Sequence, residues 1–89
     1  MLHHKITVKG KVQGVFYRAS TKKMANELKV KGFVRNEDNG DVYIEAEADE
    51  DTINKFIDWC RKGPSGAQVQ QVLHKPGEPS HFTSFEIKE

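Results

Sequence analysis

An 89-residue chain with 36% hydrophobic and 30% charged residues has room for one core and one site, because a domain of this size buries only about 60–65% of the surface its unfolded chain exposes. The formal net charge of +1 lacks the basic excess of a typical nucleic-acid binder, and no apolar run approaches the roughly 18–20 residues of a membrane span. The single cysteine, Cys60, excludes an internal disulfide framework. A single domain over residues 1–89 in a reducing cytoplasm is the expectation, since Met1–Lys5 has no apolar stretch of signal-peptide length. His3 and His4 are adjacent while His74 and His81 lie apart. None of the usual zinc spacings results, so no metal is expected.

Residues 5–12 place Ile6, Val8 and Val12 on one side and Thr7, Lys9 and Lys11 on the other, the period of a half-buried strand. Gly10 interrupts it, as a bulge or a close backbone approach requires. Residues 19–31 carry Met24, Ala25 and Leu28 at helical spacing, with lysines opposite. Gly32 suits the left-handed position that ends a helix. Phe33–Asn36 reads as a strand, and Asn39-Gly40 signals a hairpin. The returning strand sets Val42, Ile44, Ala46 and Ala48 inward and Tyr43, Glu45 and Glu47 outward. Asp49 can cap a second helix whose first turn holds Glu50 and Asp51. Ile53, Phe56, Ile57 and Cys60 fall at i, i+3, i+4 and i+7, and Gly63-Pro64 stops that helix. Residues 67–74 look like a strand with imperfectly spaced Val69, Val72 and Leu73. Pro76, Gly77 and Pro79 mark a loop, and Phe85 and Ile87 suggest a short closing strand.

The order β-α-β-β-α-β with a fifth strand predicts an α+β, ferredoxin-like split sandwich: two helices on one face of an antiparallel sheet. That fold hosts many unrelated activities, so function must come from a site. The first strand passes into the first helix through Gln13, Gly14, Val15, Phe16, Tyr17 and Arg18. Such a turn can converge backbone N–H groups at a helix N-terminus as an anion nest, and an arginine fork matches two phosphate oxygens. Taken alone, a lone glycine and arginine read more readily as a turn residue, Gly14, and a solvated first-turn arginine, Arg18. Asn36 reads either as a turn former or as an amide that accepts from a water while donating to a phosphate.

Gly10-Lys11-Val12-Gln13-Gly14-Val15-Phe16-Tyr17-Arg18 resembles the first signature of the acylphosphatases, and Gly32-Phe33-Val34-Arg35-Asn36 with Gly40 and Val42 resembles the second. The resemblance covers essentially the whole chain. It implies hydrolysis of the carboxyl–phosphate bond of a small acyl phosphate to a carboxylate and inorganic phosphate. It implies Arg18 as the phosphate-binding arginine, Asn36 as the water-positioning asparagine, and the backbone amides of the 13–18 loop as the phosphate cradle. No metal, cofactor or covalent enzyme intermediate is implied, and a monomer is the simplest expectation. Ala48 departs from the pattern, which usually carries glycine there.

Two other classes compete. RNA-recognition domains share the element order, and Lys31-Gly32-Phe33-Val34 echoes their aromatic motif. However, that motif belongs on the third strand, where outward Glu45 and Glu47 would face an anionic ligand. A non-catalytic anion-binding module would keep the cradle without turnover. Cys60 and Trp59 are expected to pack on or beside the second helix's apolar stripe. Phe16 and Tyr17 either line the acyl side of the site or pack.

Overall fold

A computed structural model describes residues 1–89. The chain forms β1 (Leu2–Lys11), α1 (Tyr17–Leu28), β2 (Lys31–Asn36), β3 (Val42–Ala48), α2 (Glu50–Lys62), β4 (Gln68–Pro76) and β5 (Phe85–Lys88). The five strands make one sheet in the order β4-β1-β3-β2-β5. Ile6, Val8, Val34, Val42, Ile44 and Ala46 join Tyr17 and Ala25 of α1 and Ile53, Phe56, Ile57 and Cys60 of α2 in one buried cluster. The stripes read from the sequence therefore meet as the core of the expected ferredoxin-like sandwich. No helix is long and apolar enough to cross a membrane.

β1 pairs antiparallel with β3 and β4, and β2 pairs antiparallel with β3. β5 runs parallel to β2, with Val34 opposite Ile87 and Arg35 opposite Lys88, so the sheet is mixed. These directions gather the carboxyl ends of β1, β2 and β5 at one edge of the sheet, where the chain also turns into α1.

The irregular spacing in β4 has a cause. Lys9 pairs with Gln71 but Gly10 pairs with Val69, so Gln70 is the extra residue of a bulge. Gly10 stands at φ +132, where a Cβ would collide with the Gln68 carbonyl. Gly10 therefore permits the close approach its position in the strand suggested.

Gly32 has a different role from the helix stop expected of it. α1 ends at Leu28, and Lys29 takes the left-handed conformation at φ 62. The Lys29 amide donates to Asn26 O and the Val30 amide to Ala25 O, the paired bonds of a Schellman ending. Gly32 lies inside β2 at φ +147, and an added Cβ would run into the Glu45 carbonyl of β3. Gly32→Ala is therefore expected to cost at least about 1–3 kcal/mol in strain. In a domain of this size that lowers the melting temperature by about 4–8 °C per kcal/mol, readable by thermal denaturation.

α2 follows its local signals. The Asp49 carboxylate accepts from the Thr52 amide at 2.9 Å, and the Gly63 amide donates to Trp59 O at 2.8 Å. The bond to Thr52 lowers the Asp49 carboxyl below its usual value. The hairpin spans Glu37–Asp41, with Asn39 Oδ1 accepting from the Asp41 amide and Gly40 at φ +97.

Glu47 differs from the outward, solvated position expected of it. It does lie on the sheet face away from the helices, but the segment after β4 covers it completely. Its carboxylate accepts from the amides of Ser80 and Phe82 and contacts His3 Nδ1 at 2.7 Å. His3 Nε2 lies 2.8 Å from Glu45. His3 is part of β1, which begins at Leu2 rather than Lys5, and its ring stacks on Phe82.

Candidate active site

The carboxyl ends of β1, β2 and β5 and the start of α1 enclose a concavity of about 300 Å³. Val12, Gly14, Phe16, Tyr17, Arg18, Ala19, Asn36 and Ile87 line it. Arg18 and Asn36, 18 residues apart in sequence, thus share one surface. They meet because β2 ends at Asn36, opposite Val42 of β3, which in turn pairs with Val8 near the end of β1.

The loop from Val12 to Arg18 is shaped by two left-handed residues. Gly14 has φ +73 with open space where a side chain would project, so glycine relieves strain there rather than a clash. Phe16 has φ 61 and ψ 22, which costs a non-glycine residue about 1–2 kcal/mol. Phe16 caps α1 without any side-chain hydrogen bond, and the first turn holds no acidic residue. None of the backbone hydrogen bonds outside the regular elements is donated by residues 13–18. The first amides of α1 have no intrahelical acceptor, so the positive end of the helix faces the concavity uncompensated.

The Gln13 side chain serves the site by holding the loop in place. Its amide nitrogen donates to Glu37 O and Asp41 O, both at 2.8 Å, and so ties the loop to the hairpin that follows Asn36. No local pattern signalled this clamp, because its partners lie 24 and 28 residues away. Tyr17 packs: it is buried, its hydroxyl donates to Cys60 O at 2.8 Å, and its ring meets Trp59. Burial pushes the Tyr17 phenol upward and the Cys60 thiol up to about 12, so neither supplies an anion near neutral pH. The Thr21 hydroxyl donates to Tyr17 O at 2.7 Å, steadying the first turn.

Two polar groups in the concavity lack protein partners. Arg35 contacts Glu37 at 3.4 Å and Arg61 contacts Asp58 at 2.9 Å, whereas the half-buried Arg18 enters no ion pair or side-chain hydrogen bond. The Asn36 Oδ1 is buried with no hydrogen-bond partner. A buried acceptor in that state costs roughly 1–3 kcal/mol. An unpaired guanidinium beside an unpaired amide oxygen suits an anion next to a water. Ala48, the departure from the expected pattern, lies buried at the end of β3 and does not line this concavity.

A family model described as Acylphosphatase matches residues 4–87. The acylphosphatase of Thermotoga maritima is 43% identical over 84 residues, covering 94% of this chain and 93% of that one. The crystal structure of acylphosphatase from Bacillus subtilis superposes with a TM-score of 0.97 at 30% identity, covering 100% of both chains. An acylphosphatase structure from Coxiella burnetii gives 0.94 at 36% identity, covering 98% of this chain and 92% of that one. With the two signatures, the mixed sheet and relatives that match it nearly end to end, the chain belongs to the acylphosphatase family, hydrolases of the carboxyl–phosphate bond.

Proposed function

We propose that residues 1–89 act as one cytoplasmic, monomeric domain that hydrolyses a small acyl phosphate, with Arg18 holding the phosphoryl group and Asn36 placing the attacking water. The observation that carries this reading is the pairing of an uncommitted guanidinium with an orphaned amide oxygen in one concavity. Arg18 presents two parallel N–H donors to two phosphoryl oxygens. Amides of Gln13, Gly14, Val15, Phe16, Tyr17 and Arg18 take the remaining oxygen charge, assisted by the positive end of α1.

Asn36 Oδ1 accepts a hydrogen bond from the attacking water and its Nδ2 donates toward a phosphoryl oxygen, which fixes water and phosphorus relative to each other. An amide cannot act as a general base, so its contribution is positioning. A loose phosphoryl-transfer transition state asks little more of the nucleophile. The departing carboxylate has a pKa of about 4 and leaves without a general acid. Water adds to phosphorus as the carboxyl–phosphate bond breaks, giving the carboxylate and inorganic phosphate. The reading involves no nucleic acid. Glu45 is engaged by His3 and Tyr43 and Glu47 by His3, Ser80 and Phe82, and Arg35 lies over the Tyr43 ring at 4.8 Å, where a base would have to stack.

The test is hydrolysis of acetyl phosphate with inorganic phosphate as a competitive inhibitor. No turnover by the folded protein defeats the reading. Asn36→Ala sharpens it: kcat falls by about 10²-fold or more while KM changes little. Because the variant removes an unpartnered buried oxygen, its melting temperature stays level or rises. A variant that lost stability and kept its turnover would make Asn36 a structural residue.

A further inference from the structure

We infer that Phe16 and Ile87 form an apolar lip that receives the acyl group and makes the enzyme select aromatic and bulky apolar acyl phosphates over small ones. The inference rests on the phosphate-end reading above, because it assigns the opposite end of the same concavity.

Large apolar side chains on the surface of this chain are few, and Phe16 is 83% exposed and Ile87 40%. Met1 and Leu2 sit at the N-terminus and Leu73 on the outer strand β4, but Phe16 and Ile87 come from opposite ends of the sequence to one concavity. The ring of Phe16 is left in water, so packing within the protein does not account for it. Its backbone does not account for it either, since the left-handed conformation at φ 61 favours glycine or asparagine over an aromatic residue. A large apolar side chain in a conformation it disfavours, without buried surface in return, fits contact with a ligand.

The rest of the concavity agrees. Val12 and Tyr17 are buried and make its floor. Arg18 is the one charged side chain lining it, and Arg18 and Asn36 are the two residues assigned above to phosphate and water. Lys88 follows Ile87 but points to the other face of the sheet, where its ammonium lies 4.3 Å from the Phe33 ring centre. The lip therefore carries no charge that would hold a carboxylate or ammonium on the acyl chain. An acyl group lying across Phe16 and against Ile87 removes apolar surface of both partners from water. That contact persists in the transition state, because the acyl carbon skeleton barely changes as the carboxyl–phosphate bond breaks.

The experiment compares kcat/KM for benzoyl phosphate and acetyl phosphate in the wild type, Phe16→Asn, Ile87→Thr and the double variant. Both substrates share the phosphate end, so the ratio cancels any disturbance of the cradle by the change at Phe16. Asparagine tolerates the left-handed conformation and threonine suits a strand, so both variants should fold, as circular dichroism would verify. The wild type is expected to favour benzoyl phosphate. Each single variant should lower the ratio, and the double variant should lower it by roughly ten-fold or more. Inhibition by inorganic phosphate, which carries no acyl group, should be unchanged in Ile87→Thr. Hydrolysis of both substrates with a ratio that stays within two-fold across the variants overturns the lip alone. No hydrolysis of either substrate by the wild type overturns the hydrolytic reading of the site and the lip with it.

Discussion

Arg18→Ala is expected to lower kcat/KM for acetyl phosphate by at least about 10³-fold while leaving the melting temperature unchanged. A single preorganised oxyanion donor is worth about 10²–10³ in rate, and Arg18 removes two donors and a full charge together. The effect on stability is small because the guanidinium is not used by any carboxylate of the protein, unlike those of Arg35 and Arg61. Arg18→Lys separates charge from geometry. Lysine restores a cation but not the planar fork, so it should recover only part of the loss, mostly as affinity for inorganic phosphate. Equal activity for arginine and lysine would mean that bulk charge, rather than bidentate contact, holds the phosphoryl group.

The second large effect concerns stability and lies away from the site. Glu47→Gln should destabilise the domain by about 3 kcal/mol, which corresponds to a fall in melting temperature of more than about 10 °C. The carboxylate is fully buried and takes three contacts, from His3 and from the amides of Ser80 and Phe82. A glutamine amide would turn a donor toward one of those donors. Burial by itself would raise the Glu47 carboxyl above its usual 4.5, but the His3 bond and the Ser80 and Phe82 amides outweigh it and hold the group at about 2. A carboxyl depressed on folding contributes stability that is complete above pH 4.5 or so and is lost as the pH falls toward about 2. Acid titration of stability should therefore show a steep loss across that interval in the wild type and a shallower one in Glu47→Gln. Matching slopes would show that Glu47 is not the residue that sets acid resistance.

Much of the fold was legible because its signals are local. Asp49, the Ile53–Cys60 stripe and Gly63 mark α2 from within a dozen residues, and each does in the structure what its position suggests. The start of α1 carried no such mark, since its cap is an exposed phenylalanine without a hydrogen bond, and the helix begins at Tyr17 rather than residue 19. Gly32 was misread because glycine answers two needs: the end of a helix and the contact of two strands. Only the distance to Glu45 in β3 decides between them. Alternation along β3 put Glu47 on the correct face but could not say that residues 80–82 would close over it.

The site divides in the same way. Arg18 and Asn36 were legible as paired candidates through their motifs, and the structure brings them to one concavity. Gln13 was grouped with the cradle for its backbone amide, and nothing local signalled that its side chain would also hold the hairpin. Ile87 was legible as part of a closing strand but not as a residue lining the site. Its position depends on β5 lying parallel to β2, whereas an antiparallel strand would have carried the Phe85 end to the site.

That parallel strand gives the two ends of the site unequal permanence. Arg18 sits on α1, which follows β1, and Asn36 ends β2; both strands are flanked on each side in the sheet. Ile87 belongs to a four-residue strand bonded along one side only, the kind of segment that detaches at a lower free energy than the sheet's centre. Transient release of β5 would widen the doorway on the acyl side and let a bulky carboxylate depart, with the phosphate grip left standing.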